Sequence, residues 1–141
     1  MRVTRLVLLG FLALSAACGD NSTSSSPTTP TQTPANPTIT ERYVGTLPVG
    51  GSGFYSFSVS QYGTVNVTLN SLSVDDASVT VGMGLGSPVG FGCNTATTVT
   101  TGPGSAAQLT GPYQVGVYCV RVYDVGTLTG PTTFDVSIAH P

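Results

Sequence analysis

The chain has 141 residues, and only 7% of them are charged: four arginines, six carboxylates and no lysine. With the first 17 residues set aside, Arg42 and Arg121 face six carboxylates, a side-chain balance of −4. No basic patch exists, which argues against nucleic-acid binding. Gly, Ser, Thr and Val dominate, so the surface is polar through hydroxyls, and such a weakly solvating surface favours association with a partner or with the envelope.

Residues 1–17 have the three parts of a secretory signal. Arg2 and Arg5 form a positive start, residues 6–14 (LVLLGFLAL) an apolar stretch, and Ser15-Ala16-Ala17 the small residues before a cleavage point. The apolar stretch is too short to stay as a spanning anchor. Cys18 follows at once, and Leu-Ser-Ala-Ala-Cys resembles the signal of a bacterial lipoprotein. The sequence departs from that pattern at Ser15, where leucine is usual. The resemblance implies that the Cys18 thiol is lipidated and becomes the first residue of the mature protein. The alternative is an ordinary signal with an incidental cysteine. Lipidation would hold the protein at a membrane, each buried methylene contributing ~0.8 kcal/mol. Gly19, not aspartate, follows the cysteine, which by the same resemblance favours outer-membrane delivery in a Gram-negative envelope.

Residues 18–38 read as the lipidated cysteine and a spacer. They are rich in Ser, Thr and Pro, include Pro27, Pro30, Pro34 and Pro37, and hold no large apolar residue. Such a stretch buries too little surface to offset its ordering entropy. At ~3 Å per residue it would hold a domain up to ~50 Å from the membrane.

Residues 39–141 read as one all-β domain. Residues 39–47 open it as a strand, and residues 48–53 (PVGGSG) turn the chain. Residues 54–60 alternate, with Tyr55, Phe57 and Val59 on one face. Residues 64–69 do the same with Val65, Val67 and Leu69, so the pair is expected as a hairpin. Residues 77–85 place Val79, Val81, Met83 and Leu85 on one face and glycines, including Gly82 and Gly84, on the other; Gly86 continues that row. Glycine there implies a bulge or a backbone lying close. Residues 87–104 read as loop with one short strand at 96–101, and residues 105–109 as another. Residues 113–124 (YQVGVYCVRVYD) form the clearest strand, with Tyr118, Val120 and Val122 inward. Residues 132–138 follow with Phe134, Val136 and Ile138, and the two are expected to pair as a second hairpin. No amphipathic helix is found. Seven or eight short strands with turns roughly every 8–12 residues predict an antiparallel β-sandwich or a barrel.

Two cysteines remain in the domain. Cys93 and Cys119 are expected to pair in an oxidising compartment, closing a loop of roughly 25 residues and contributing ~3–4 kcal/mol. A catalytic Cys–His pair would have to use His140, the only histidine, next to the terminal Pro141 and expected to be mobile. Two cysteines and one histidine also fall short of a zinc set. Asp124 and Asp135 are a carboxylate pair that a glycoside hydrolase could use if the last two strands brought them together.

Residues 45–47 (GTL), 54–59 (FYSFSV), 63–69 (GTVNVTL) and 116–122 (GVYCVRV) resemble the bacterial pre-peptidase C-terminal domain. The resemblance implies a jelly-roll-like β-sandwich that is not itself catalytic. Relatives of that kind accompany exported enzymes; some bind collagen or polysaccharide and some bind calcium. Here the domain is expected to stand alone behind a lipid anchor, without a peptidase before it. For calcium the acidic pair is Asp75-Asp76, whose more ordinary role is a solvated turn. No other cofactor is implied. The expected function is a non-catalytic envelope lipoprotein whose sandwich binds a polysaccharide or protein partner. Tyr62, Phe91 and Tyr123 are the foremost ligand-facing aromatics, with Tyr43 and Tyr113 behind them, though each has an ordinary packing role open to it. The alternative is a structural protein that assembles with itself through exposed strand edges.

Overall fold

Alternation at period two, broken by Gly- and Pro-bearing turns, lets this sequence bury its apolar residues as strands with one oily face. The computed structural model describes residues 31–73 and 78–141. They form β1 (Ile39–Leu47), β2 (Ser52–Val59), β3 (Gly63–Leu72), β4 (Val81–Val89), β5 (Gly92–Thr101), β6 (Leu109–Tyr113), β7 (Gly116–Asp124) and β8 (Thr132–His140). Two four-stranded sheets result, in the orders β1-β8-β3-β6 and β2-β7-β4-β5. β1 pairs with β8, β2 with β7, β3 with β6 and β4 with β5, all antiparallel. That nested pairing makes the antiparallel sandwich a jelly roll.

The inward faces meet as expected. Phe57, Val59, Val65, Val67, Leu69, Val81, Met83, Leu85, Val120, Val122, Phe134, Val136 and Ile138 are all buried, each large side chain contributing ~1.5–3 kcal/mol. Tyr55 and Tyr118 are half-buried and keep partners for their hydroxyls: Tyr55 donates to Glu41 Oε2 at 2.5 Å and Tyr118 to the Gln114 carbonyl at 3.0 Å. Leu47, Leu109 and Leu128 join the core. They escape the alternation because they sit at strand ends or in a connection.

Neither expected hairpin forms. β2 and β3 lie in opposite sheets, and so do β7 and β8. Alternation fixes which face of a strand turns inward but not which strand lies beside it. Two consecutive strands with equally apolar faces can meet across the core instead of edge to edge, and here both pairs do. The tight hairpin is β4–β5, where Val89 faces Gly92 and Gly90 takes φ 56° at the tip. The strand expected at 96–101 is the second half of β5; its first half and the hairpin tip fall in the stretch read as loop, because β5 is a largely polar edge strand with no apolar alternation to reveal its start. β4 starts at Val81 rather than residue 77, and β6 occupies residues 109–113 rather than 105–109. Tyr113 therefore closes β6, and the strand read as residues 113–124 begins at Gly116.

The last residues of the expected spacer are bonded to the domain. The Ala35 amide donates to the Tyr62 carbonyl (3.1 Å), Thr64 donates to the Ala35 carbonyl (2.8 Å), and Thr38 donates to the His140 carbonyl (3.1 Å).

Candidate binding groove

The outer face of the β2-β7-β4-β5 sheet is floored with glycine. Gly82 faces Tyr123, Gly84 faces Arg121 and Gly86 faces Cys119 across the β4–β7 ladder. Without side chains there, other groups lie directly on the sheet. The Tyr123 ring covers Gly82, the Thr95 side chain covers Gly84, and the Asn94 and Thr95 backbone covers Gly86, so that a Cβ at any of the three would overlap its neighbour. A bulge between Leu85 and Gly86 bends the end of the hairpin. Cys93 and Cys119, 5.8 Å apart at Cα, are joined in the expected disulfide. The hairpin end is thereby a flap pinned to β7.

Beside the flap lies a recess of about 580 Å³, lined by Tyr43, Ser52, Gly53, Phe54, Phe91, Gly92, Cys93 and Arg121. Phe91 stands at the hairpin tip wholly in solvent, and Phe54 is 37% exposed. Arg121 Nη2 donates to Ser52 Oγ at 3.2 Å, and its guanidinium carbon sits 5.2 Å from the centre of the Tyr123 ring. Tyr43 lines the recess from β1, stacked on Tyr55 (5.5 Å) and edge-on to Phe134 (4.9 Å), and burial raises its phenol pKa.

The described carboxylates are all engaged elsewhere. Arg42 Nε donates to Asp135 Oδ1 at 2.9 Å, and a second contact joins Arg42 Nη2 to Asp135 Oδ2. The guanidinium's hydrogen bonds hold Asp135 below the ordinary carboxylate value, and the pairing raises Arg42. Asp124 accepts from the amides of Gly50 (2.8 Å), Gly126 (2.8 Å), Thr127 (3.1 Å) and Leu128 (3.3 Å). These bonds, Gly50 first, lower its pKa. Glu41 accepts from Tyr55, which raises the Tyr55 phenol, and lies 3.0 Å from His140 Nε2.

Several expected site residues are therefore apart. Asp124 ends a strand of one sheet and Asp135 lies on the outer face of the other, so the last two strands do not bring the pair together. Their partners are backbone amides and Arg42. His140 is not mobile: it ends β8 at 2% exposure, 5.2 Å from the Phe57 ring, and the following Pro141 carbonyl accepts from Ser60. Cys93 and Cys119 are joined to each other, which leaves no thiol among the described residues for a Cys–His pair. Tyr62 lines a separate recess of about 340 Å³ with Gln32, Thr33, Ala35 and Gln61. Tyr113 lies edge-on to Tyr118 at 5.0 Å. Phe91 and Tyr123 alone of the three foremost aromatics meet at the groove, the second through Arg121. Asp75, Asp76 and Cys18 lie outside the described residues. Among the described residues no group of three His, Cys, Asp or Glu is placed to hold a metal ion.

The sequence reading passed over Phe54, Ser52 and Arg121. Phe54 and Arg121 sit out of phase with the apolar alternation of their strands. A large aromatic and a lone charge at outward positions of otherwise small or apolar strands were the available signal.

Fold and groove define a jelly-roll domain with a recess on one outer face. The sequence matches no family model and no curated protein. Among solved structures the chain is similar to the mitogen derived from Yersinia pseudotuberculosis, at 11% identity and a TM-score of 0.51, covering 74% of this chain and 87% of that one. The shared property is the fold.

Proposed function

We propose that this protein is a non-catalytic lipoprotein of the bacterial envelope, anchored through Cys18 and carrying a β-sandwich of the pre-peptidase C-terminal kind. In this reading the sandwich binds a polysaccharide or protein partner in the groove. The carrying observation is Phe91, a large aromatic placed wholly in solvent at a tip that a disulfide pins beside Phe54. An exposed aromatic on a rigid support meets a partner with little entropy left to lose. The leader, the cysteine after it and the spacer support the anchor and outer-membrane delivery. Any calcium would fall to Asp75-Asp76. A jelly roll hosts many unrelated activities, so the likeness to a mitogen adds no function.

One observation favours a second reading, self-assembly through a strand edge. β5 is a free edge of ten residues, Gly92–Thr101, with no charge and no proline, whereas the β6 edge is five residues long and blunted by Pro112.

The test uses the full chain in detergent micelles against envelope and host polysaccharides and collagen. Phe91→Ala should weaken the partner's binding roughly tenfold or more, as loss of a central aromatic anchor does. Partners indifferent to Phe54→Ala and Phe91→Ala, with particle size growing with concentration, would replace the groove by the β5 edge. In cells, Cys18→Ser should move the protein out of the membrane fraction; retention there would sink the lipid anchor.

A further inference from the structure

The charge arrangement around the groove narrows the ligand class, given the reading of the groove as a binding site. The described residues hold two arginines and three carboxylates. Arg42 is matched to Asp135, Asp124 is spent on backbone amides, and Glu41 serves Tyr55 and His140. Arg121 is the one arginine among the described residues with no carboxylate at ion-pair distance. It is also held in place, by Ser52 on one side and the Tyr123 ring on the other, and it lines the same recess as Phe54 and Phe91. A guanidinium fixed by a hydroxyl and an aromatic face has lost little by waiting, and its remaining N–H donors form the planar fork that matches a carboxylate.

We propose that the groove binds a saccharide bearing a carboxylate, a uronic acid in a polymer chain, with Arg121 on the carboxylate and Phe54 and Phe91 against the sugar ring. A pyranose presents an apolar face of C–H groups that suits an aromatic ring and a rim of hydroxyls that suits Ser52 and the Gly53 and Gly92 backbone. The recess, about 580 Å³, falls within the ~300–1,000 Å³ of small-ligand sites. The −4 balance of residues 18–141 repels a densely charged polymer such as a nucleic acid or a heavily sulfated glycan. One carboxylate per repeat is tolerated, because contact and not long-range field decides at a Debye length of ~8 Å.

The experiment titrates the full chain in detergent micelles with a hyaluronan hexasaccharide, which carries one carboxylate per disaccharide repeat, and with the same hexamer after reduction of its carboxyls to primary alcohols. The acidic form should bind roughly 10- to 100-fold more tightly, the worth of one charge-assisted two-point contact. Arg121→Gln should bind both forms alike. Arg121→Lys, which keeps the charge but not the fork, should keep part of the preference. Phe91→Ala should weaken both forms by the same factor. Circular dichroism checks that each variant is folded. Equal affinity of the two hexamers for the unaltered protein, or a preference that survives Arg121→Gln, overturns the acidic-sugar assignment. So does a peptide carboxylate that outcompetes the uronate. In each of those cases a loss of binding in Phe91→Ala would still support the groove. Partners that ignore both Arg121 and Phe91 would remove the groove as well.

Discussion

The outer faces of the two sheets carry different residues and end in opposite states. On the β1-β8-β3-β6 sheet, polar groups satisfy one another. Arg42 holds Asp135, Asn70 donates to Asp135 at 3.4 Å, Ser137 donates to Asn70 at 3.1 Å, and Thr110 donates to Asn66 at 2.6 Å. The described arginine and carboxylate of that face are thus paired with each other. On the β2-β7-β4-β5 sheet the floor is glycine, a flap is pinned across it, the arginine has no carboxylate partner among the described residues, and two phenylalanines stand in or near solvent. The same sandwich thus carries one finished surface and one unfinished one. On the proposed reading the unfinished surface is where recognition belongs, because unmet hydrogen-bonding capacity and exposed aromatic area are what a ligand can complete.

The largest way to break this contrast is to release the flap. The bridge spans a sequence separation of 26, and in the chain-entropy picture its removal costs ~3–4 kcal/mol. The sandwich core lies on the other side of the sheet and stays buried. Reduction, or Cys93→Ala with Cys119→Ala, should therefore leave a β-rich fold of lower stability in urea and a groove of lower affinity, because Phe91 is no longer held in place. Unfolding and binding measured on oxidised and reduced samples check both halves. Affinity that survives reduction would show that the flap does not present the ligand's aromatic contact.

How far the sequence foretold this contrast depends on the kind of signal each feature leaves. The core was legible because burial repeats at every second residue, and Val65, Val67 and Leu69 lie in the core as read. Sandwich class and disulfide followed from turn spacing and from two thiols in a chain read as exported. Strand neighbours were not legible. The partner of Phe57 across β2–β7 is Tyr118, 61 residues away, and no local pattern encodes so distant a pairing. β5 was read only in its second half, residues 96–101, because the start of a hydroxyl-rich edge strand looks like a loop. The groove was half legible: Phe91 and Tyr123 were conspicuous as aromatics, and the glycines of β4 announced that something lies close upon them. The proposed role of Arg121 rests on an absence, the lack of a carboxylate at ion-pair distance among the described residues, which only the folded chain reveals.

The smallest expected effect sharpens the finished face. Asp135 and Asp124 both titrate below the ordinary value of 3.8, the first through its bonds from Arg42 and the second through amides led by Gly50. A carboxylate depressed in the fold takes up its proton in the unfolded chain first. Its stabilisation is thus fully present above the unfolded value and is lost as pH falls from about 3.8 through the lower folded value. Stability in urea should decline across that acid window, and Asp135→Asn should make the decline shallower by removing one of the two contributors. The Arg42–Asp135 pair lies at the surface, where solvent screens it, which is why this effect ranks last. In 1 M salt, with a Debye length of ~3 Å, the Asp135 share should shrink further, while the Asp124 share, held by short amide bonds, should remain. An acid limb that Asp135→Asn leaves unchanged at low salt would mean that the outer network is not holding that carboxylate in its charged form, and the contrast between the two faces would then rest on the glycine-floored side alone.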